Sequence, residues 1–188
     1  MDTQLCESLF RGRLGDLITL PKRIGGVENT RQVVWATGDA TLTHIAAINW
    51  EEKEFVWGSD EEFLRLIAPV HRPILIADTE QLAASCIVVV WGHKDQLLLM
   101  GTDNQNVSAW PKKGYSEKGA SLVLTQETSR VIAVKQYTAE PYYLRSGHNF
   151  SADWTTRTGI KDIMLWAGQH GFKRLRFQPY WGEWMSER

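Results

Sequence analysis

The 188 residues include only two cysteines, Cys6 and Cys86, and six prolines, and neither sign of charge dominates: 21 Lys+Arg stand against 22 Asp+Glu, a net charge of -1. Two thiols so far apart make no metal-type pair, and they point to a reducing compartment rather than a disulfide-stapled secreted fold. Balanced charge excludes a globally basic nucleic-acid coat while leaving room for a local basic patch. No apolar run approaches the roughly 20 residues that cross a bilayer. Met1-Asp2-Thr3 also opens without the basic and apolar regions of a signal peptide. The expected setting is intracellular, in cytoplasm or nucleus, with no membrane partner. Also missing are a Walker-type loop, a Gly-x-Ser-x-Gly elbow, His-Glu-x-x-His and Cys-x-x-Cys. Their absence argues against phosphate-loop ATPases, serine hydrolases and zinc sites.

What is present suits one globular domain with appendages: 43% hydrophobic residues supply a core, and 23% charged is ordinary. Residues 1–31 read as an N-terminal arm, with a short Leu9–Leu20 helix broken by Gly15 and closed by Pro21. From Gln32 the texture changes. Val33-Val34-Trp35-Ala36-Thr37 is a β-branched and aromatic strand ending near Gly38-Asp39; Thr43–Trp50 and Glu54–Trp57 continue an antiparallel meander around the turn Glu51-Glu52-Lys53. A short helix is predicted around Phe63–Ile67. Asp78 reads as a helix N-cap with Gln81 as its capping-box partner, and Leu82, Ala83, Cys86, Ile87 and Val90 fall at helical spacing up to a stop at Gly92. Gln96–Thr102 reads as a buried strand, and Asn104–Trp110 as one or two helical turns ended by Pro111. Ala120, Val123, Leu124, Val131 and Val134 trace one face of a long helix. Pro141–Leu144 is a fifth strand, and Phe150–Thr155 and Ile160–Gln169 are helices, the second capped by Gly171. Phe177–Trp184 is an aromatic tail. Of the nine tryptophans, Trp35, Trp50, Trp57, Trp91 and Trp166 are expected in the core. The order βββ–α–β–α–α–β–α predicts a mixed α/β fold.

Four carboxylates fall at element ends. Asp39 closes the first strand and Asp103 the fourth, Glu80 lies in the first turn of the helix over the sheet, and Asp153 begins a late helix. Taken singly, each is more often a turn former, a cap or a helix-dipole partner than a ligand. Converging on one sheet edge, the four would repel unless cations neutralised them. Hard oxygen donors suit Mg²⁺ or Mn²⁺, and two such ions about 4 Å apart make a phosphodiester-cleaving site.

The joint pattern resembles the ribonuclease H domains attached to retroelement reverse transcriptases. It is carried by Trp35-Ala36-Thr37-Gly38-Asp39-Ala40-Thr41, Asp78-Thr79-Glu80-Gln81-Leu82-Ala83 and Thr102-Asp103-Asn104-Gln105-Asn106-Val107. The fourth stretch is Tyr143-Leu144-Arg145-Ser146-Gly147-His148-Asn149-Phe150-Ser151-Ala152-Asp153 with Thr155-Thr156-Arg157. The Thr-Asp-Asn and Asn-x-x-Ala-Asp-x-x-(Ser/Thr)-Arg stretches look like those of gypsy-type and tyrosine-recombinase retroelements. The resemblance spans about residues 32–157 and frames three segments: arm 1–31, ribonuclease H-like domain 32–158, and C-terminal helix with aromatic tail 159–188.

The resemblance implies a five-stranded mixed sheet in order 3-2-1-4-5, flanked by helices, and cleavage of the RNA strand of an RNA–DNA hybrid with two Mg²⁺ (or Mn²⁺). Asp39 would bridge both ions, Glu80 and Asp103 would hold the one that activates water, and Asp153 would help hold the other. Two departures stand out. Gly38 splits the family's usual Thr-Asp pair, which would displace Asp39 if a bulge formed there. His148 lies closer to Asp153 than the family's loop histidine; a catalytic part for it competes with a plain turn role. Glu61 and Glu62 are rival carboxylates that fit the pattern poorly.

Asn104, Gln105 and Asn106 could meet the hybrid's minor groove, where the RNA 2′-OH is displayed, or Asn104 could simply cap a helix. Lys112, Lys113 and Lys118 bracket the loop around Tyr115 and could contact phosphate, or be a solvated loop; Lys173, Arg174 and Arg176 pose the same choice. The leading reading is thus a retroelement-type ribonuclease H, with a reverse transcriptase or polyprotein neighbour as a second partner. Two others compete with it: a catalytically weakened module of the same fold that grips nucleic acid or braces a polymerase, and a related nuclease or transposase acting on DNA.

Overall fold

The computed structural model describes residues 32–59, 75–113 and 119–175. By internal contacts the chain divides into Met1–Gln32 and Val33–Arg188, and the described elements belong to the second unit. The expected arm helix, the Phe63–Ile67 helix, Glu61, Glu62, Lys118, Arg176 and the aromatic tail lie outside the described residues.

The fold is mixed α/β. Strands β1 (Gln32–Ala40), β2 (His44–Asn49) and β3 (Glu54–Ser59) form an antiparallel meander. Helix α1 (Ile76–Trp91) leads to β4 (Gln96–Thr102). Helices α2 (Gln105–Lys113) and α3 (Gly119–Lys135) lead to β5 (Thr138–Tyr143), which runs parallel to β4. A single 3-10 turn (Ser146–His148) precedes α4 (Phe150–Arg157), α5 (Ile160–His170) and a last strand β6 (Lys173–Leu175). The sheet order is β5-β4-β1-β2-β3-β6.

The 3-2-1-4-5 order therefore stands, and the strand count does not. The sheet has six strands, because β6 adds to β3 in parallel through the pairs Glu54↔Lys173, Phe55↔Arg174 and Val56↔Leu175. Three residues, two of them exposed cations, carry no alternating pattern that could reveal a strand. The pairing exists only because α5 turns the chain back. Gly171 makes that turn at φ 74, in the left-handed region glycine enters at little cost.

Alternation along β1 divides the sheet into two faces. Val34, Ala36 and Ala40 join Ile45, Ala47, Val56, Leu98 and Met100 under α1 and α3, packed on Leu82, Ala83, Cys86, Ile87 and Leu124. On the other face a smaller cluster of Ile48 and Phe55 with Ile163 and Ala167 is ringed by Trp50, Trp57, Trp154, Trp166 and Phe172. Trp35 and Trp91 are buried as expected, whereas Trp50, Trp57 and Trp166 are half-buried. Among the described residues no helix is long and apolar enough to cross a membrane.

Several local expectations shift. Helix α1 starts two residues before Asp78, so Asp78 is not the N-cap. Its carboxylate reaches back to accept the Leu75 N–H at 3.3 Å, and Glu80 falls just beyond the first turn. Helix α2 continues through Pro111 to Lys113, and β5 begins three residues before Pro141. On α3 Leu124 and Val131 face the core, but Val134 is 69% exposed, because the packed face passes through Ile132 to Lys135, whose Nζ reaches the Val89 and Gly92 carbonyls.

Candidate metal centre

The register of β1 against β2 runs unbroken through Thr37↔Ile48, Gly38↔Ala47 and Asp39↔Ala46, so Gly38 forms no bulge and Asp39 keeps its place. Gly38 serves packing instead. A Cβ there would stand 3.1 Å from Ile87 Cδ1 and 3.6 Å from the Ala83 backbone, so its absence lets α1 lie close on β1. Alternation then turns Asp39 to the opposite face, toward α4. It is only 6% exposed.

Asp39 and Glu80 both feel acidic neighbours. Burial, opposed by a hydrogen bond from Thr156 and reinforced by Asp103 and Asp153, pushes the Asp39 carboxyl up to about 6. Burial also raises Glu80, with Asn104 lowering it and Asp103 and Asp39 raising it further. The ends of β1 and β4 and the starts of α1 and α4 thus meet at one edge of the sheet. Gly101 in β4 lies beside Thr37 in β1, where an added Cβ would come within 3.0 Å of Thr37 Cγ2.

Each of three carboxylates is held by a donor from the chain. The Thr156 hydroxyl donates to Asp39 Oδ2 at 2.6 Å, and the Asp153 carbonyl lies 2.9 Å from the same hydroxyl. The Asn104 amide donates to Glu80 Oε2. Arg157 donates through Nε and Nη2 to Asp153 Oδ1 at 2.8 and 2.7 Å. Asn104 acts twice, since its Oδ1 also caps α2 by accepting the Asn106 and Val107 N–H groups at 2.7 and 3.3 Å. Capping and site-building are therefore one arrangement, not alternatives.

Two contributors, Thr156 and Asn149, have no role assigned by sequence alone. Asn149 is buried; its Nδ2 donates to the Gly38 carbonyl at 3.1 Å, and its own carbonyl accepts the Asp153 N–H at 3.0 Å. It ties the start of α4 to the residue before Asp39. Asn149, Asp153 and Thr156 stand at i, i+4 and i+7, one helical stripe, and that spacing was the available signal.

The remaining candidates are more loosely placed. Gln105 and Asn106 are exposed on the first turn of α2, and Lys112 and Lys113 end that helix. His148 is exposed at the end of the 3-10 turn, and no described hydrogen bond or ion pair ties its ring to a carboxylate.

The donor set is made of carboxylate oxygens, the chemistry that Mg²⁺ and Mn²⁺ take, and the field at Asp39 and Glu80 is the one a cation would relieve. The residues fit such ions in kind. They are not assembled as a cage: among the described residues no three His, Cys, Asp or Glu side chains stand ready to hold one ion. The cavity beside Glu80, lined by Gly38, Ile87, Gly101 and Val107, measures about 10 Å³, enough for one water at most.

No family model and no curated protein sequence matches the chain. Among solved structures it is similar to RNase H1 from the halophilic archaeon Halobacterium salinarum NRC-1, at 12% identity and TM-score 0.47 over 69% of this chain and 98% of that one. It is similar to LC11-RNase H1 in complex with RNA/DNA hybrid, at 11% identity and TM-score 0.48 over 70% and 98%. A third is an N-terminal RNase H domain from Mycobacterium tuberculosis, at 14% identity and TM-score 0.46 over 74% and 96%.

Proposed function

We propose that the chain is a divalent-metal endonuclease that hydrolyses the RNA strand of RNA–DNA hybrids, in a retroelement-type reverse transcription system. The observation that carries the reading is Asp39: a nearly buried carboxylate raised to about 6 by burial and by two neighbouring acids. Burying a carboxylate that other acids crowd costs the fold stability, and perturbed acids gathered at one edge are a mark of functional sites. Asp39, Glu80, Asp103 and Asp153 would hold two Mg²⁺ or Mn²⁺ ions. Ions held in this way activate a water and stabilise the leaving oxygen. The chain's own part is orientation. Thr156 fixes the rotation of Asp39, Asn104 that of Glu80, and Arg157 holds Asp153, where a divalent cation would compete with it. The retroelement assignment rests on the Thr-Asp-Asn and Asn-x-x-Ala-Asp-x-x-Thr-Arg stretches.

The test is incubation of the purified chain with labelled RNA–DNA hybrid, duplex RNA and duplex DNA, each with Mg²⁺, Mn²⁺ or EDTA. Cleavage of the RNA strand of the hybrid alone, abolished by EDTA, is the expected result. Cleavage of duplex DNA would point to the related DNA-acting nuclease. Binding of hybrid without cleavage in either metal would favour the weakened module, the reading that the Arg157–Asp153 pairing speaks for.

A further inference from the structure

The same edge of the sheet that gathers the acids over β1 and β4 carries a different set of groups over β2, β3 and β6. His44 opens β2 and Trp57 lies near the end of β3, so both stand at the end of the sheet where Asp39 stands. The His44 and Trp57 rings stack, with centroids 4.9 Å apart and planes 24° from parallel. Arg174 of β6 places its guanidinium 5.5 Å from the Trp57 ring centre and donates from Nη2 to the Trp57 carbonyl at 3.0 Å. The Trp57 indole N–H is spent on the Thr155 carbonyl of α4, at 3.1 Å. The tryptophan is therefore fixed from the α4 side, and it in turn fixes a histidine and an arginine. Arg174 stays exposed, and His44 and Trp57 are half-buried.

Such an arrangement is more than a core needs. A guanidinium laid on an aromatic ring is pre-organised, so less rotamer freedom is lost when it meets an anion. Its remaining N–H donors form the fork that matches phosphate geometry. Its position matters as well. Asp39 pairs with Ala46 and Ala46 with Trp57, so Trp57 shares a cross-strand row with Asp39 two strands away. At about 4.8 Å per strand that is about 10 Å between backbones, with buried Ala46 and the Thr155–Thr156 end of α4 between them.

We propose that His44, Trp57 and Arg174 form a backbone-phosphate contact site for a nucleic-acid strand whose reacting phosphodiester lies at the acids. This deepens the hybrid-nuclease reading and rests on it for the position of the reacting phosphate. The contact is to phosphate and carries no sequence information. It also gives a purpose to β6, the strand outside the expected five, which brings a cation to that edge.

The experiment is binding of labelled RNA–DNA hybrid to the full chain in EDTA, where cleavage cannot intervene, across a salt series. Three variants are compared: Arg174→Gln, His44→Ala, and Lys53→Ala, the last removing an exposed cation from the β2–β3 turn at the opposite edge. Arg174→Gln should weaken binding by about tenfold, as expected for one charge-assisted contact, and should flatten the slope of log K against log salt by about 0.7–0.9. His44→Ala should weaken it less, and Lys53→Ala should match the wild type. Arg174→Lys, which keeps the charge and loses the planar fork, should recover the slope more than the affinity. Thermal melting of each variant separates lost contact from lost folding: Arg174→Gln must lose affinity at temperatures where it is fully folded. Wild-type binding with Arg174→Gln unchanged in affinity and slope would overturn the contact site and leave the nuclease reading standing. Binding that depends on Arg174 in a chain that never cleaves would do the opposite. A wild type that binds no hybrid at low salt would overturn both.

Discussion

The two faces of the sheet are built on opposite principles. Toward α1 and α3 the contacts are apolar and closed: Leu82, Cys86, Ile87, Leu98 and Leu124 are fully buried, and Gly38 lets helix and strand approach. Around α4 the same strand presents Thr37 and Asp39, and the edge near them holds four acids with three donors from the chain. The closed face lowers the free energy of the fold throughout, whereas the other face does so only around Ile48, Phe55 and Ile163 and carries an electrostatic cost at its Asp39 end. Substitutions on the two faces should therefore move stability and activity in different directions.

The largest effect should come from Asp103→Asn, which keeps shape and deletes one charge. If the edge is a metal site, hybrid cleavage should fall by at least about 10²–10³, as for loss of one preorganised electrostatic group, while hybrid binding in EDTA persists. Single-turnover cleavage beside a binding isotherm decides it; cleavage at the wild-type rate would mean the active site lies elsewhere.

Next is Leu82→Ala on the closed face. Removing a fully buried side chain there should cost about 2–5 kcal/mol, read as a shift in the urea midpoint. Cleavage per folded molecule should stay near wild type at low temperature. A large activity loss in the folded protein would break the separation of the two faces.

Asp39→Asn should move stability the other way. The carboxyl rises from 3.8 to about 6 on folding, so between those values the folded state holds more protons than the unfolded one. Metal-free stability therefore falls as pH rises through about 4 to 6 and stays low above it. A rise of that size corresponds to about 3 kcal/mol. The asparagine variant should be more stable than wild type at pH 8 by up to that amount, with the gap closing toward pH 4. Denaturation at a series of pH values in EDTA checks both sign and window; a variant less stable at pH 8 would show that Thr156 and the fold depend on the negative charge.

The smallest effect concerns ions. If the edge holds divalent ions, millimolar Mg²⁺ or Mn²⁺ should raise the melting temperature, flatten the pH dependence just described, and raise Asp103→Asn less. Equal rises in both proteins would place the ions elsewhere.

Much of this was legible along the chain because it was local. The strand Gln96–Thr102 emerged with those bounds, as did the α1 stripe from Leu82 to its stop at Gly92 and the Gly171 cap, since period and punctuation lie within a few residues. Asp39, Glu80, Asp103 and Asp153 could be singled out by their element ends. Their roles could not, because a carboxylate after a strand looks the same as a turn former or a ligand until its neighbours are known.

What the sequence determined by itself is therefore the alternation that sends Val34, Ala36 and Gly38 one way and Trp35, Thr37 and Asp39 the other, the helical stripes, and the order of the elements. Tertiary structure decided the rest: that Gly38 makes room for α1 instead of a bulge, that Asn149 binds the Gly38 carbonyl 111 residues away, that Thr156 reaches Asp39 across 117, and that Lys173–Leu175 becomes a strand. The physical reason is range. Propensity and periodicity act over a turn or a strand, whereas hydrogen bonds to a buried carboxylate, and its desolvation, exist only once distant segments have closed around it.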